Sequence, residues 1–122
     1  MHEISLAREI LRILQEQARM QGFERIHRVH VELGPLSCID SEALNFAFEA
    51  VTVGTLAQGA CLELHRPPAR GACRRCGHGY TMESLVTPCP RCDGPGRILS
   101  GLEMRVLDLE VSGGDPGTLK EG

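Results

Sequence analysis

The chain has 122 residues, 42% hydrophobic and 24% charged, values that suit a globular protein with one domain and a small attachment. Only 3% of the residues are aromatic and Trp is missing, so the core has to be aliphatic. The net charge of −3 argues against a dedicated nucleic-acid binder, and neither a membrane span nor a secretory leader is legible, which predicts a cytoplasmic protein.

Residues 3–21 are expected to form a helix. Ile4, Ala7, Leu11, Leu14 and Ala18 recur at spacings of three and four, Ile10 widens the stripe, and Gly22 stands where a helix C-terminal glycine belongs. Residues 28–33 alternate polar and apolar, the period of a half-buried strand, and Gly34-Pro35 closes it. A second helix is expected over 41–51, with Asp40 as its N-cap and Ile39 and Leu44 as a hydrophobic staple. Ala43, Leu44, Ala47, Phe48 and Val51 would form its buried face.

Residues 60–65 alternate again. After a cysteine-rich stretch, residues 102–111 alternate with a slip of phase between Val106 and Leu107, which a β-bulge would supply. The Gly- and Pro-rich segment 112–122 is expected to be a disordered tail. This order predicts an α+β fold: two helices packed on a small three-stranded sheet, with an inserted four-cysteine, zinc-ribbon-like subdomain. The expected division is a discontinuous domain of residues 1–67 and 98–111, with 68–97 as the insert.

Cys73 and Cys76 form one Cys-x-x-Cys pair, and Cys89 and Cys92 form a second after twelve intervening residues. In a reducing compartment such pairs hold a metal more readily than they form disulfides, and two facing turns make a tetrahedral cage for zinc or a substituting iron. Gly77 relaxes the first turn where a positive φ is called for; at the second, Asp93 takes that place with Gly94 behind it. Four thiolates close the coordination sphere, so the metal is structural rather than catalytic. An insert of about thirty residues with only Tyr80, Met82, Leu85 and Val86 to bury depends on that metal for its stability.

Arg74, Arg75, Arg91 and Arg97 concentrate positive charge on the insert, either as solvated surface or as a patch for an acidic partner. Cys38 and Cys61 read as small buried or half-buried side chains, although Cys61 is out of phase with Leu62 and Leu64 and so would face solvent. His27, His30, His65 and His78 read as surface or partner-facing residues.

The N-terminus is a second place where donors gather. A bulky second residue blocks removal of the initiator methionine, so the amine of Met1, the His2 imidazole and the Glu3 carboxylate fall within a few bonds. Nitrogen-rich donors of this kind suit nickel(II) or copper(II) rather than magnesium or calcium. Asp40 reads as a helix cap that could also approach as an oxygen donor. A coordinating imidazole must be neutral, so metal affinity is expected to fall as pH drops through the ordinary imidazole range.

Met1-His2-Glu3-Ile4-Ser5 resembles the N-terminal signature of the HypA/HybF family of nickel metallochaperones. The likeness extends to Val31-Glu32-Leu33-Gly34 with Leu36-Ser37, to Leu44-x-Phe46-Ala47-Phe48-Glu49, to the two cysteine pairs and to Gly101-x-Glu103-Met104, in order over residues 1–111. A small departure is Asp93-Gly94-Pro95-Gly96 in place of the family's usual end to the second cysteine turn. The resemblance implies delivery of nickel during maturation of nickel-iron hydrogenase. It implies Met1, His2 and Glu3 as nickel ligands and Cys73, Cys76, Cys89 and Cys92 as zinc ligands. The GTPase HypB and the hydrogenase large subunit would be the partners, with a homodimer possible and neither nucleic acid nor membrane involved.

Two other functional classes compete. A zinc-ribbon adaptor binding protein or nucleic acid would leave the N-terminus idle, but strand-binding surfaces usually offer stacking rings and the insert holds only Tyr80. An enzyme finds no support, because no nucleophile pair or phosphate-cradling glycine loop is present.

Overall fold

The computed structural model describes residues 2–113. The first helix, α1, runs Glu3–Gln21 and ends on Gly22, whose φ of 83° lets its N–H reach the carbonyl of Ala18. Leu6, Ala7, Ile10 and Leu14 are its buried residues. The stripe is therefore rotated from the expected one: Ile4 is 54% exposed and Leu11 only half-buried. Strand β1 (Arg25–Leu33) starts earlier than its alternation suggests, and a short 3-10 turn (Pro35–Ser37) follows.

Helix α2 spans Ser41–Val51, with the side chain of Asp40 accepting from the Glu42 N–H as its N-cap. Ile39 and Leu44 are both buried, as a staple requires. Thr52 closes the helix; its hydroxyl is buried and donates to the carbonyl of Phe48. Strand β2 is Cys61–His65, and β6, the last strand, is Met104–Ser112. They form a three-stranded sheet in the order β2-β1-β6. Alternation along β6 breaks at Leu107 and Asp108, both exposed, so the phase slip is present while Leu107, expected inside, faces out.

Strands β3 (Ala69–Cys73), β4 (Gly79–Met82) and β5 (Gly96–Ser100) form a second three-stranded sheet that the hydrophobic pattern did not announce. Its order is β4-β3-β5, both pairs antiparallel, with Gly71 opposite Tyr80 on one side and Ile98 on the other. Gly71 is required by closeness rather than by φ: a Cβ there would occupy the space of the Met82 side chain.

The chain divides into two compact units. Among the described residues the first comprises 2–31, 39–64 and 106–113; the second comprises 32–38 and 65–105. The second is larger than the expected insert of 68–97, because β5 belongs to its sheet and because the 3-10 turn joins it. Gly34 donates to the Glu103 carbonyl at 2.9 Å and Leu36 to the Gly101 carbonyl at 2.9 Å. Ser112, expected to begin the tail, ends β6; residues 114–122 lie outside the described residues.

Each unit has its own buried apolar set. In the first, α1 and α2 pack together, and Ile10, Leu14, Ile26, Val29, Val31, Leu44 and Phe48 are buried. In the second, Leu36, Ala69, Tyr80 and Met82 gather around Cys73 and Cys89. Leu85 and Val86, expected to help fill that core, are instead 52% and 85% exposed. Cys38 is also exposed rather than half-buried, in a left-handed conformation with φ 61° at the end of the 3-10 turn.

Candidate metal centres

Cys73 ends β3 and Cys76 lies on the turn after it, while Cys89 and Cys92 come from the loop before β5. The backbone closes both turns with the same kind of bond. Gly77 donates to the Cys73 carbonyl at 3.0 Å and Asp93 to the Cys89 carbonyl at 2.8 Å, with φ values of 81° and 63°. Asp93 therefore does adopt the left-handed conformation that the first turn assigns to glycine. Each turn aims N–H groups at its leading sulfur: Arg75 and Cys76 at Cys73 Sγ (3.2 and 3.3 Å), Arg91 at Cys89 Sγ (3.4 Å).

The four sulfurs lie within 4.8 Å of one another. Cys73 to Cys92 is 3.4 Å, Cys76 to Cys92 3.6 Å and Cys76 to Cys89 3.7 Å. Sulfurs at the corners of a tetrahedron about 2.3 Å from a zinc ion stand roughly 3.8 Å apart, so the constellation has the size of a filled cage. All six cysteines are free of disulfides.

The electrostatics ask for a cation. The N–H of Cys76, helped by that of Arg75, holds the Cys73 thiol down to about 6. Cys92 is helped by the Gly94 N–H, yet its thiol neighbours, Cys73 foremost, push it up to about 12. Four sulfurs this close cannot all carry charge unaided; a dication at their centre permits it. Gly94 fits tightly here too, since a Cβ on it would come within 3.2 Å of both Cys73 and Cys92 sulfurs. His78 is no ligand: its carbonyl accepts from the Cys73 N–H, and its ring stacks with Tyr80.

The other expected ligand set lies at the start of α1. Met1 falls outside the described residues. His2 is exposed and extended (φ −77°, ψ 152°), occupies the N-cap position and makes no side-chain cap bond. Glu3 holds a contact that spacing could not reveal: its Oε2 accepts from the backbone N–H of Asp40 at 3.0 Å. The first turn of α1 is thereby tied to the N-cap of α2. Asp40 Oδ1 is meanwhile engaged with the Glu42 N–H at 3.1 Å, so the capping role is the one realised. Among the described residues the four cysteines are the only such group of potential ligands brought together.

The Asp40 N–H, and next Glu3's own N–H, hold the Glu3 carboxyl below its ordinary 4.5. Folding makes this acid stronger, so its contribution is complete above the unfolded value and is lost as pH falls through the folded one. Thermal unfolding followed from about pH 6 to about pH 3 is expected to show a shallower acid loss in Glu3→Gln than in the parent. Equal slopes would mean that the contact adds nothing.

The description "Hydrogenase/urease nickel incorporation, metallochaperone, hypA" belongs to a family model that matches residues 1–111. The hydrogenase maturation factor HypA of Acidithiobacillus ferrooxidans is 44% identical over 112 residues, covering 91% of this chain and 99% of that protein. The factor of the same name from Azotobacter chroococcum is 43% identical over the same shares. The solution structure of the Ni metallochaperone HypA from Helicobacter pylori superposes with a TM-score of 0.71 at 28% identity, covering 93% of this chain and 99% of that one. No helix among the described residues is long and apolar enough to cross a membrane.

Proposed function

Because the chain belongs to the HypA family of nickel-incorporation metallochaperones, which act in hydrogenase maturation and are not enzymes, we propose that it carries nickel(II) at its N-terminus and zinc in its cysteine cage. The amine of Met1, the His2 imidazole and the Glu3 carboxylate bind the cargo. Cys73, Cys76, Cys89 and Cys92 hold a resident zinc that shapes the second unit. The protein acts in the cytoplasm, receiving or passing nickel together with the GTPase HypB and the hydrogenase large subunit, and a homodimer is compatible with that role.

The observation that carries this reading is the contrast between the two donor sets. The cage gathers four thiolates, enough to fill a tetrahedral sphere, with Cys73 and Cys89 buried, Cys92 half-buried and Cys76 exposed. His2 stands in the open with no side-chain cap bond, one residue outside a helix that begins at Glu3. A carrier has to release its metal, and an exposed nitrogen-donor head permits exchange that a full set of four thiolates resists. Glu3 suits the same head, because its lowered pKa keeps it ionised and the bond from the Asp40 N–H to its Oε2 orients the carboxylate.

Adding one residue before Met1 tests the assignment. The extension moves the free amine away from His2, so nickel affinity is expected to fall by at least about tenfold while zinc content stays the same. Unchanged nickel binding in the extended chain would remove the amine from the ligand set.

A further inference from the structure

Charge is distributed unevenly along this chain. The second unit holds seven arginines against four acidic residues, whereas the described part of the first holds five against ten. A protein of net charge −3 therefore carries a basic zinc-binding unit. Most arginines elsewhere have partners: Arg12 with Glu9, Arg19 with Glu16, Arg28 with Glu63 and Glu110, Arg105 with Glu32. Arg74, Arg75, Arg91 and Arg97 are exposed, and among the described residues none of their guanidinium groups has an ion pair or hydrogen bond.

Three of these four frame the cage, and the fourth lies on a neighbouring strand. Arg74 and Arg75 fill the variable positions of the first cysteine turn, and Arg91 fills one in the second, so all three surround a single cage. Arg97 sits on β5 opposite Ala72, the residue before Cys73. Their positive charge offsets the negative cage, but the sulfurs are already served by backbone N–H groups, and the guanidiniums reach into solvent instead.

The same unit carries an exposed apolar tip. Leu85 and Val86 are held out on a turn that is built rather than loose. Thr87 Oγ1 accepts from the N–H groups of Glu83 and Ser84, and the Tyr80 hydroxyl donates to the Thr87 carbonyl at 2.9 Å. Gly96, next to Arg97, lies against that same carbonyl and hydroxyl. The same unit thus exposes a valine and a leucine as well as four unpaired arginines, the two kinds of group a recognition surface combines.

We propose that these arginines and the Leu85–Val86 tip of the zinc-binding unit dock an acidic protein segment with interspersed apolar residues, its carboxylates meeting the arginines around the cage and an apolar side chain meeting Leu85 and Val86. Carboxylates suit the guanidinium forks by paired hydrogen bonds. A long polyanion is disfavoured by the acidic first unit. It would also find no stacking platform, since Tyr80 is the unit's one aromatic and is buried with its hydroxyl engaged.

The test uses the full zinc-loaded chain and a fluorescent peptide, Glu-Leu-Asp-Glu-Val-Asp-Glu-Leu, read by anisotropy. Binding is expected to weaken at least about tenfold as salt rises from about 0.05 M to about 0.5 M. It should weaken at least about fivefold in Arg74→Glu/Arg91→Glu and measurably in Val86→Ser, with zinc content unchanged in each. Arg97→Gln, on β5 rather than within a cysteine turn, supplies the readout if the double variant loses metal, and Arg19→Glu on α1 should bind like the parent. Four results would overturn the proposal. They are equal binding of the Gln/Asn version of the peptide, equal binding by the charge-altered variants, tighter binding of an oligothymidylate, or salt-sensitive self-association abolished by the same substitutions.

Discussion

Cys76→Ser is expected to unfold the second unit and leave the first standing. What decides this is how much each unit has to bury. The second relies on Leu36, Ala69, Tyr80 and Met82 with two of the ligand cysteines, a core too small for 48 residues without a staple. Structural zinc supplies an apparent ~10–16 kcal/mol in small finger peptides, comparable with the whole stability of a domain, so one missing thiolate removes the main support. The first unit buries Ile10, Leu14, Ile26, Val29, Leu44 and Phe48 and uses no metal to do so. Far-UV circular dichroism of Cys76→Ser should therefore retain the helical signal of α1 and α2, while limited proteolysis cuts within 69–100. The same pattern is expected when a chelator strips the parent protein. Loss of the helices together with the second unit would show one cooperative structure.

The second large effect concerns cargo. His2→Ala is expected to weaken nickel by at least about a hundredfold, because removing a direct ligand should cost no less than the 10–100-fold typical of changes to the groups that merely support a ligand. Zinc content and melting behaviour should be those of the parent, since His2 makes no side-chain cap bond and is exposed. The pairing of outcomes matters more than either alone: a variant that lost both metals equally would contradict two independent sites. Glu3→Gln should fall between, losing one carboxylate donor and also the charge-assisted bond to the Asp40 N–H.

How far the sequence announces these features varies by element. Both helices are legible because three-and-four spacing needs only local information, and Gly22 and Asp40 mark an end and a start by their chemistry. The rotation of α1's buried face is not legible. Ile4 and Leu11 fit the same stripe as Ile10, and only the packing decides that Leu6 goes inside while Ile4 stays out. The strands of the second unit are short, and Ala69-Arg70-Gly71-Ala72-Cys73 shows no hydrophobic alternation, since a metal and a methionine, not an aliphatic face, define their interior. The cage itself is the most legible feature of all: ligand identity and spacing prescribe it, down to the left-handed Asp93. The Glu3–Asp40 contact joins residues 37 apart and has no local signature, so it emerges only from the fold. Likewise Leu85 and Val86 read as core from composition, but the Thr87 turn holds them in solvent.

One chain with two unlike metal environments is the centre of this reading. The direct measurement is metal content of zinc-replete protein beginning at Met1, dialysed against excess nickel and then analysed for both elements beside the His2→Ala and Cys76→Ser variants. The parent should retain one zinc and take up one nickel, with His2→Ala losing nickel alone. Nickel that displaces the zinc, or fails to bind while the cage stays full, would contradict it.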